Sequence, residues 1–161
     1  MRLWGDPIVT RFISAQPLTE TDIRERLDVE IATQTSHGMQ YWPIFRLADG
    51  THIGCCGLRP RPLHPQSPEL GVHVLAAQWR RGYATEASSR VVDYAFGKLG
   101  CHALFAGHNP ENGVSANLLA RLGFVRTHEE LYKPTGRMHP SYLLENVERS
   151  RRSTAGPGHR H

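Results

Sequence analysis

The sequence lacks several features that would place a chain in a class at once. No run among its 161 residues approaches the eighteen or so apolar residues that a membrane-spanning helix needs. Neither a His-x-x-x-His nor a Cys-x-x-Cys spacing occurs, which argues against a metal site, and no Gly-x-x-x-x-Gly-Lys nucleotide loop is present. The cysteines Cys55, Cys56 and Cys101 are too few for a disulfide framework, so we expect a reduced, cytoplasmic protein.

The net positive charge is small over most of the chain. The net charge is +4, but the tail from Glu148 onward holds +3 of it. A nearly neutral body with a basic tail that contains Ser, Gly and Pro is poor evidence for nucleic-acid binding. We therefore predict one domain over residues 1–147, a disordered basic tail over residues 148–161, and no nucleic-acid or membrane partner.

Alternating helical and extended patterns are present instead. Two strands joined by a turn at Asp49-Gly50 predict a hairpin over residues 41–58. A strand at 69–75, a helix at 85–99 and a strand at 102–108 predict one parallel pair with a right-handed connection. A further helix is expected to end at Leu122 and a last strand to run over 141–144. The sequence thus predicts an α/β protein with a mixed sheet.

The connection between the strand at 69–75 and the following helix carries two arginines and a glycine, Arg80, Arg81 and Gly82. A helix start presents unpaired backbone N–H groups and the positive end of the helix dipole. Glycine lets the backbone approach a ligand closely, and the arginines add charge. This order predicts a site for a phosphate or pyrophosphate, although an ordinary connection with two solvated arginines fits the spacing equally well.

Two motifs resemble those of the GNAT N-acetyltransferases. Residues 79–84 resemble the acetyl-coenzyme A pyrophosphate loop, Gln/Arg-x-x-Gly-x-Gly/Ala, with Gly82 and Ala84 in register and Trp79 replacing the first residue. Residues 112–115 and 122–124 resemble the Asn-x-x-Ser and Leu-Gly-Phe segment of the subgroup that acetylates ribosomal-protein alanine and serine N-termini. Either motif alone is weak, but the two together in this order are strong.

The resemblance implies a fold and an activity. The fold is a mostly antiparallel sheet flanked by helices and splayed open at its parallel pair, with the pantetheine arm of acetyl-coenzyme A in the gap. The activity is direct acetyl transfer from the thioester to a primary amine, on a protein N-terminus or a small molecule. The alternatives are a coenzyme A-binding module with little or no catalysis and, more distantly, a nucleic-acid-binding domain that uses Arg59, Arg61 and the tail.

The resemblance also nominates residues that hold the cosubstrate. Val74 and Leu75 would offer backbone groups to the pantetheine, with a nearby N–H polarising the thioester carbonyl. The side chain of Asn112 could bind a pantetheine amide, although Asn112 is also a good helix cap. The loop amides would meet the pyrophosphate; these loop residues are Arg80, Arg81, Gly82, Tyr83, Ala84 and Thr85.

Three residues are candidates for proton transfer. Glu69 occupies the position of an acidic residue that precedes Ile/Leu-Gly in the subgroup, and it could accept the proton of the amine. His73 shares a strand face with Glu69 by parity and has a suitable unperturbed pKa, so it is a rival or a partner. Ser115, one turn beyond Asn112, could hydrogen-bond the sulfur, although many relatives carry a tyrosine on this helix. A solvated serine is at least as good a reading.

The resemblance also concerns the N-terminus. Trp4-Gly5-Asp6-Pro7 resembles a motif that in relatives follows a first strand and helix, so we expect those elements to be missing here. In the complete fold, the missing strand pairs with the strand at 41–47. We therefore expect that strand to be an exposed sheet edge, blunted in part by Pro43, and to support a homodimer.

Overall fold

The computed structural model describes residues 3–147, and the tail predicted to be disordered lies outside them. The described residues form four α-helices and six strands. The helices are α1 (Pro7–Thr10), α2 (Glu20–His37), α3 (Tyr83–Gly97) and α4 (Gly113–Arg121). The strands are β1 (Tyr41–Phe45), β2 (His52–Arg59), β3 (Glu69–Val74), β4 (Ala103–Gly107), β5 (Val125–Tyr132) and β6 (Arg137–Glu145).

The strands form one mixed sheet in the order β1-β2-β3-β4-β6-β5. The β1–β2 hairpin is antiparallel, and β3 and β4 are the parallel pair, as the sequence predicts. Strand β6 is longer than the predicted 141–144 because it pairs with both β4 and β5. The predicted mixed α/β architecture is confirmed.

The sheet opens between β3 and β4. The register of this pair contains a single match, Glu69 with Phe105, and the Phe105 N–H donates to the Pro68 carbonyl at 3.0 Å. Toward Val74 the two strands are not matched. This is the predicted splay, and it leaves one side of β3 without a neighbouring strand just before the chain enters the arginine-containing loop.

Side chains and glycines set the helix boundaries. Thr19 and Asp22 form a reciprocal capping box at the start of α2. Helix α2 ends at Gly38, which is in the left-handed conformation. Helix α3 begins at Tyr83, earlier than predicted, because the left-handed Gly82 already serves as its N-cap.

Two apolar clusters lie on opposite faces of the sheet. The larger one packs β2 and β4 against α3 and α4, and it includes Leu58, Leu104, Ala95 and Leu119. The smaller one joins the N-terminal segment, α1 and α2 to the other face; its buried members are Leu3, Trp4, Val9, Ile23, Tyr41 and Cys55. The neighbouring cysteines Cys55 and Cys56 belong to different clusters, as strand alternation requires.

Strand β1 is the sheet edge, as expected, but fewer of its outward backbone N–H groups are unpaired than expected. The Leu58 N–H donates to the Gln40 carbonyl at 3.0 Å, and alternation then turns the N–H groups of residues 41 and 45 outward. The Tyr41 N–H donates to Glu30 of α2 at 2.7 Å, and Pro43 has no N–H to offer. The outward donor that remains on β1 is the N–H of the exposed Phe45.

Candidate active site

The backbone of the loop before α3 has a conformation that suits an anion-binding loop. Arg80 is a non-glycine residue with a φ of 61°, and Gly82 has a φ of 81°. Non-glycine residues in this conformation are uncommon and concentrate at functional sites. No atom lies within 4 Å of the position that a Cβ on Gly82 would occupy, so the backbone at the start of α3 is open to a ligand.

The backbone at the end of β3, next to this loop, has an N–H group that faces the gap. The Leu75 N–H donates to the Ile53 carbonyl at 2.9 Å, and the Leu75 carbonyl accepts from the Gln78 N–H at 2.8 Å. The Val74 carbonyl accepts from the indole of Trp79 at 2.8 Å. By alternation the Val74 N–H faces the gap. Both backbone groups of Leu75 therefore have a partner within the fold, and its carbonyl keeps one lone pair with which to accept from a ligand; the role of Leu75 stays a prediction.

The side chain of Asn112 caps α4. Its Oδ1 accepts from the Ser115 N–H at 3.2 Å, which is the helix-cap alternative that the sequence left open. The Nδ2 of the same amide can still donate elsewhere. Ser115 is partly buried in the first turn of α4, so the structure brings both residues of the motif to the helix start that follows β4.

Glu69, Gly71 and His73 share one face of β3, as parity predicts. The Tyr41 hydroxyl occupies the space that a side chain at residue 71 would need, so a tyrosine from the edge strand lies between the two candidate bases. Burial raises the pKa of Glu69, while Arg59 and Arg61 act against this rise. No hydrogen bond contributes to the pKa of this carboxylate, which leaves it able to accept a proton from a ligand.

His73 is held as a neutral ring. Its Nδ1 accepts from the indole N–H of Trp4 at 3.0 Å, which leaves the proton of the neutral imidazole on Nε2. Burial, together with the nearby cations Arg26 and Arg59, lowers the pKa of His73 to about 3. A ring with this pKa and an occupied Nδ1 is a poor base near neutral pH, so the geometry favours Glu69 over His73.

Sequence reasoning missed an arginine cluster around Glu69. Arg59 lies 4.5 Å from the centre of the Tyr41 ring and forms a salt bridge with Glu30 at 2.8 Å. Arg61 lies 3.9 Å from the centre of the Phe105 ring. Arg59 is the register partner of Glu69, so a β2–β3 hairpin alignment could have found it, whereas Glu30 lies on α2 and carried no local signal. Arg59 and Arg61 are the arginines assigned to the alternative of a nucleic-acid-binding domain, and both are engaged in these contacts.

A cleft of about 410 Å³ opens near the N-terminal segment. It lies between the segment around α1, the residues after β4 and the β5–β6 turn. A salt bridge of 2.6 Å between Arg137 and Glu111 joins the last two of these elements. The residues that line it include Thr10, Arg11, Ser14, Asn109, Glu111, Thr135 and Arg137. A polar cleft of this size can admit a small molecule or the end of a peptide.

Among residues 3–147, no group of three His, Cys, Asp or Glu side chains is arranged to hold a metal ion. Within the same residues, no helix is long and apolar enough to cross a bilayer. The loop, the open β3 edge and the free carboxylate are therefore the features around which a function can be built.

Residues 1–125 match the family model described as an acetyltransferase (GNAT) domain. The chain belongs to the GNAT acetyltransferase family. It is accordingly an enzyme that transfers an acetyl group to an amine, and the family resemblance stated from the two sequence motifs is confirmed.

Named relatives agree with this assignment. The N-acetyltransferase p20 of Bacillus licheniformis is 27% identical over 150 residues, which cover 91% of this chain and 84% of that protein. An acetyltransferase structure from Agrobacterium tumefaciens has a TM-score of 0.76 at 22% identity, covering 89% of this chain and 81% of that chain. A spermidine N-acetyltransferase of Vibrio cholerae, in complex with CoA and spermine, has a TM-score of 0.74 at 17% identity, covering 90% and 86%. These two structures share the GNAT fold.

Proposed function

We propose that this N-acetyltransferase uses acetyl-coenzyme A, with the pyrophosphate at residues 80–85 and the pantetheine along the open side of β3. The observation that carries this proposal is the unobstructed, left-handed Gly82 at the N-terminus of α3. It stands beside a strand whose outward Val74 N–H faces the gap. Backbone amides at a helix start suit a pyrophosphate, and an unpaired strand edge suits an amide-containing arm. The Nδ2 of Asn112 is the side-chain donor proposed for the same arm.

Transfer is direct in this proposal. Glu69 accepts a proton from the ammonium of the acceptor, and the resulting amine attacks the thioester carbonyl. The Val74 N–H stabilises the negative charge that develops on the carbonyl oxygen. This attack forms the C–N bond and leaves a surplus proton on the nitrogen, which passes to the departing sulfur as the C–S bond breaks, so that the products are the amide and the thiol of coenzyme A. Ser115 is the hydrogen-bond donor proposed for the departing sulfur.

A covalent acetyl-cysteine fits this site poorly. Burial raises the pKa of Cys55 and Cys56 to about 12, and the thiolate rather than the thiol is the nucleophile. The three cysteines of the described residues are buried and form no disulfide, and we propose a reducing, cytoplasmic location. The acceptor is a primary amine on a protein N-terminus or a small molecule, and the cleft lined by Thr10, Asn109 and Arg137 is its proposed entrance.

The cosubstrate site can be tested by calorimetric titration with coenzyme A. Gly82→Val should weaken binding at least about tenfold, or roughly 1.4 kcal/mol, because valine resists a positive φ and its side chain would fill the ligand space. Gly136→Val is the matched control, since Gly136 also has a positive φ of 66° and open space around it but lies in the β5–β6 turn. Equal affinities of the wild type and Gly82→Val for coenzyme A would refute the proposed pyrophosphate site.

The alternative of a binding module with little catalysis predicts a different result. Such a protein would bind coenzyme A in the titration but would release none from acetyl-coenzyme A with any amine in a panel. Amine-dependent release of coenzyme A, lost on replacing Glu69, would support the enzyme with the proposed base.

A further inference from the structure

Within the part of the chain that the structure describes, the buried Nε of Arg26 has no hydrogen-bond partner and its guanidinium forms no salt bridge. The side chain of Arg26 projects from α2 and is mostly buried. By contrast, Arg24 on the same helix forms an exposed salt bridge with Glu20 at 2.7 Å.

The helix carboxylate that interacts electrostatically with Arg26, Glu30, already has a hydrogen-bond partner on each of its oxygens. Glu30 lies one turn further along α2. Its Oε2 accepts from the Tyr41 N–H at 2.7 Å, and its Oε1 accepts from Arg59 at 2.8 Å. Both oxygens therefore support the sheet edge and the second arginine, and Arg26 is left beside a carboxylate that is already satisfied.

Stacking compensates Arg26 only in part. Its guanidinium lies 4.5 Å from the centre of the Trp4 ring, which is within the range of a cation–π contact. Stacking engages the face of the guanidinium and leaves its in-plane N–H donors unused. A buried donor of a charged group without an acceptor is costly. An anionic group from outside the chain would remove this cost.

Arg26 is connected to the face of β3 that carries Glu69. Trp4, on which Arg26 stacks, donates to His73, and the His73 ring makes an edge contact with Tyr41, with 5.6 Å between ring centres. Tyr41 in turn covers Gly71, between His73 and Glu69. Arg26 and Glu69 both influence the pKa of Tyr41 and of Tyr132, in opposite directions. Through these contacts, Arg26 and Glu69 lie on the same side of the sheet as Tyr41.

We infer that the acetyl acceptor carries a carboxylate as well as its amine, with Arg26 binding the carboxylate and Glu69 receiving the ammonium. This inference rests on the proposed function, because it assigns the acceptor of the same site. An amino acid and a peptide with an acidic first residue both present this chemistry. A polyamine would bring further positive charge toward Arg26 and Arg59, which costs free energy instead of gaining it.

Matched acceptors test the inference. 6-Aminohexanoate and its amide represent the free amino acid. C-terminally amidated Asp-Ala and Glu-Ala, compared with Asn-Ala and Gln-Ala, represent the acidic N-terminus. For the wild type, we expect kcat/KM to be at least about tenfold higher for the carboxylate in one of these sets, mainly through KM. Whichever set shows the difference identifies the source of the carboxylate.

Arg26→Gln should reduce that ratio to near one, and Arg26→Lys should retain part of it. Arg24→Gln, which alters an exposed arginine on the same helix, should leave it unchanged. The melting temperature of Arg26→Gln should be equal to or higher than that of the wild type, because an unpartnered buried charge is removed. An arginine with only a structural role would instead lower it.

Two results would overturn the inference. One is equal kcat/KM for charged and neutral members in every set, and the other is a preference that survives Arg26→Gln. Both results would leave the affinities for coenzyme A of the wild type and Gly82→Val as expected. Failure of the acceptor assignment is therefore distinguishable from failure of the proposed cosubstrate site.

Discussion

The Tyr41 hydroxyl lies against the backbone of Gly71, in the space that a side chain at residue 71 would occupy. Gly71 stands between Glu69 and His73 on one face of β3, and Tyr41 belongs to the edge strand β1. Tyr41 can occupy this position only because residue 71 has no Cβ. The glycine therefore helps to place a tyrosine next to the proposed base.

Gly71→Ala should therefore destabilise the protein and reduce its activity. Forcing a methyl group into this contact should cost about 1–3 kcal/mol in the free energy of unfolding and displace Tyr41 from beside Glu69. Chemical denaturation and kcat/KM are the measurements. Gly97→Ala is the control, because Gly97 lies in α3 with open space around it and should gain roughly 0.5–1 kcal/mol. The same sign of change in both variants would contradict the close contact.

Glu69→Gln should lower kcat/KM by about 100-fold or more, since the amide cannot accept the proton of the ammonium. In the wild type, burial raises the pKa of Glu69, so protonation of this carboxylate should produce an acidic limb in the pH–rate profile. The limb should disappear from the residual activity of the variant. Glu145→Gln, at an exposed position on β6, serves as the control. An acidic limb retained in Glu69→Gln would assign the proton to another group.

The elements and the position of the loop before α3 could be predicted from sequence because their signals are local. The capping residues of α2, the Asp49-Gly50 turn and the glycine before α3 each act within a few residues. The surroundings of Glu69 could not be predicted, because they come from α2, β1 and β2 through contacts distant in sequence. His73 illustrates the limit: its residue type indicated a base, but Trp4 and burial convert it into a neutral acceptor.

His73 should make the stability of the protein fall with acid. Its pKa is lowered from 6.5 to about 3 in the folded state, so between these values the unfolded chain binds a proton that the folded chain does not. Stability from this ring is complete above pH 6.5 and is lost as the pH falls toward 3. Between pH 7 and 4.5 the loss should reach up to about 2.7 kcal/mol, at about 1.36 kcal/mol per pKa unit.

Denaturant titrations at pH 7 and pH 4.5 measure this loss. His73→Asn keeps an acceptor for Trp4 but cannot be protonated, so its stability should fall less than that of the wild type over the same interval. His64→Asn, in an exposed loop, should behave like the wild type. If His73→Asn shows the full wild-type loss, the acid sensitivity has a different origin.

The open end of β1 should support only a weak homodimer. Glu30 and Pro43 remove two of the outward donors of this edge, which leaves the Phe45 N–H and its ring, 53% exposed, for a second copy. An interface this short falls in the weak class of protein contacts.

Light scattering after size exclusion should show a dimer that dissociates on dilution. Phe45→Pro should abolish it by removing both the donor and the ring, whereas Leu47→Ser, in the exposed turn beyond the strand, should not. A wild type that remains monomeric at the highest attainable concentration would show that Glu30 and Pro43 already close this edge.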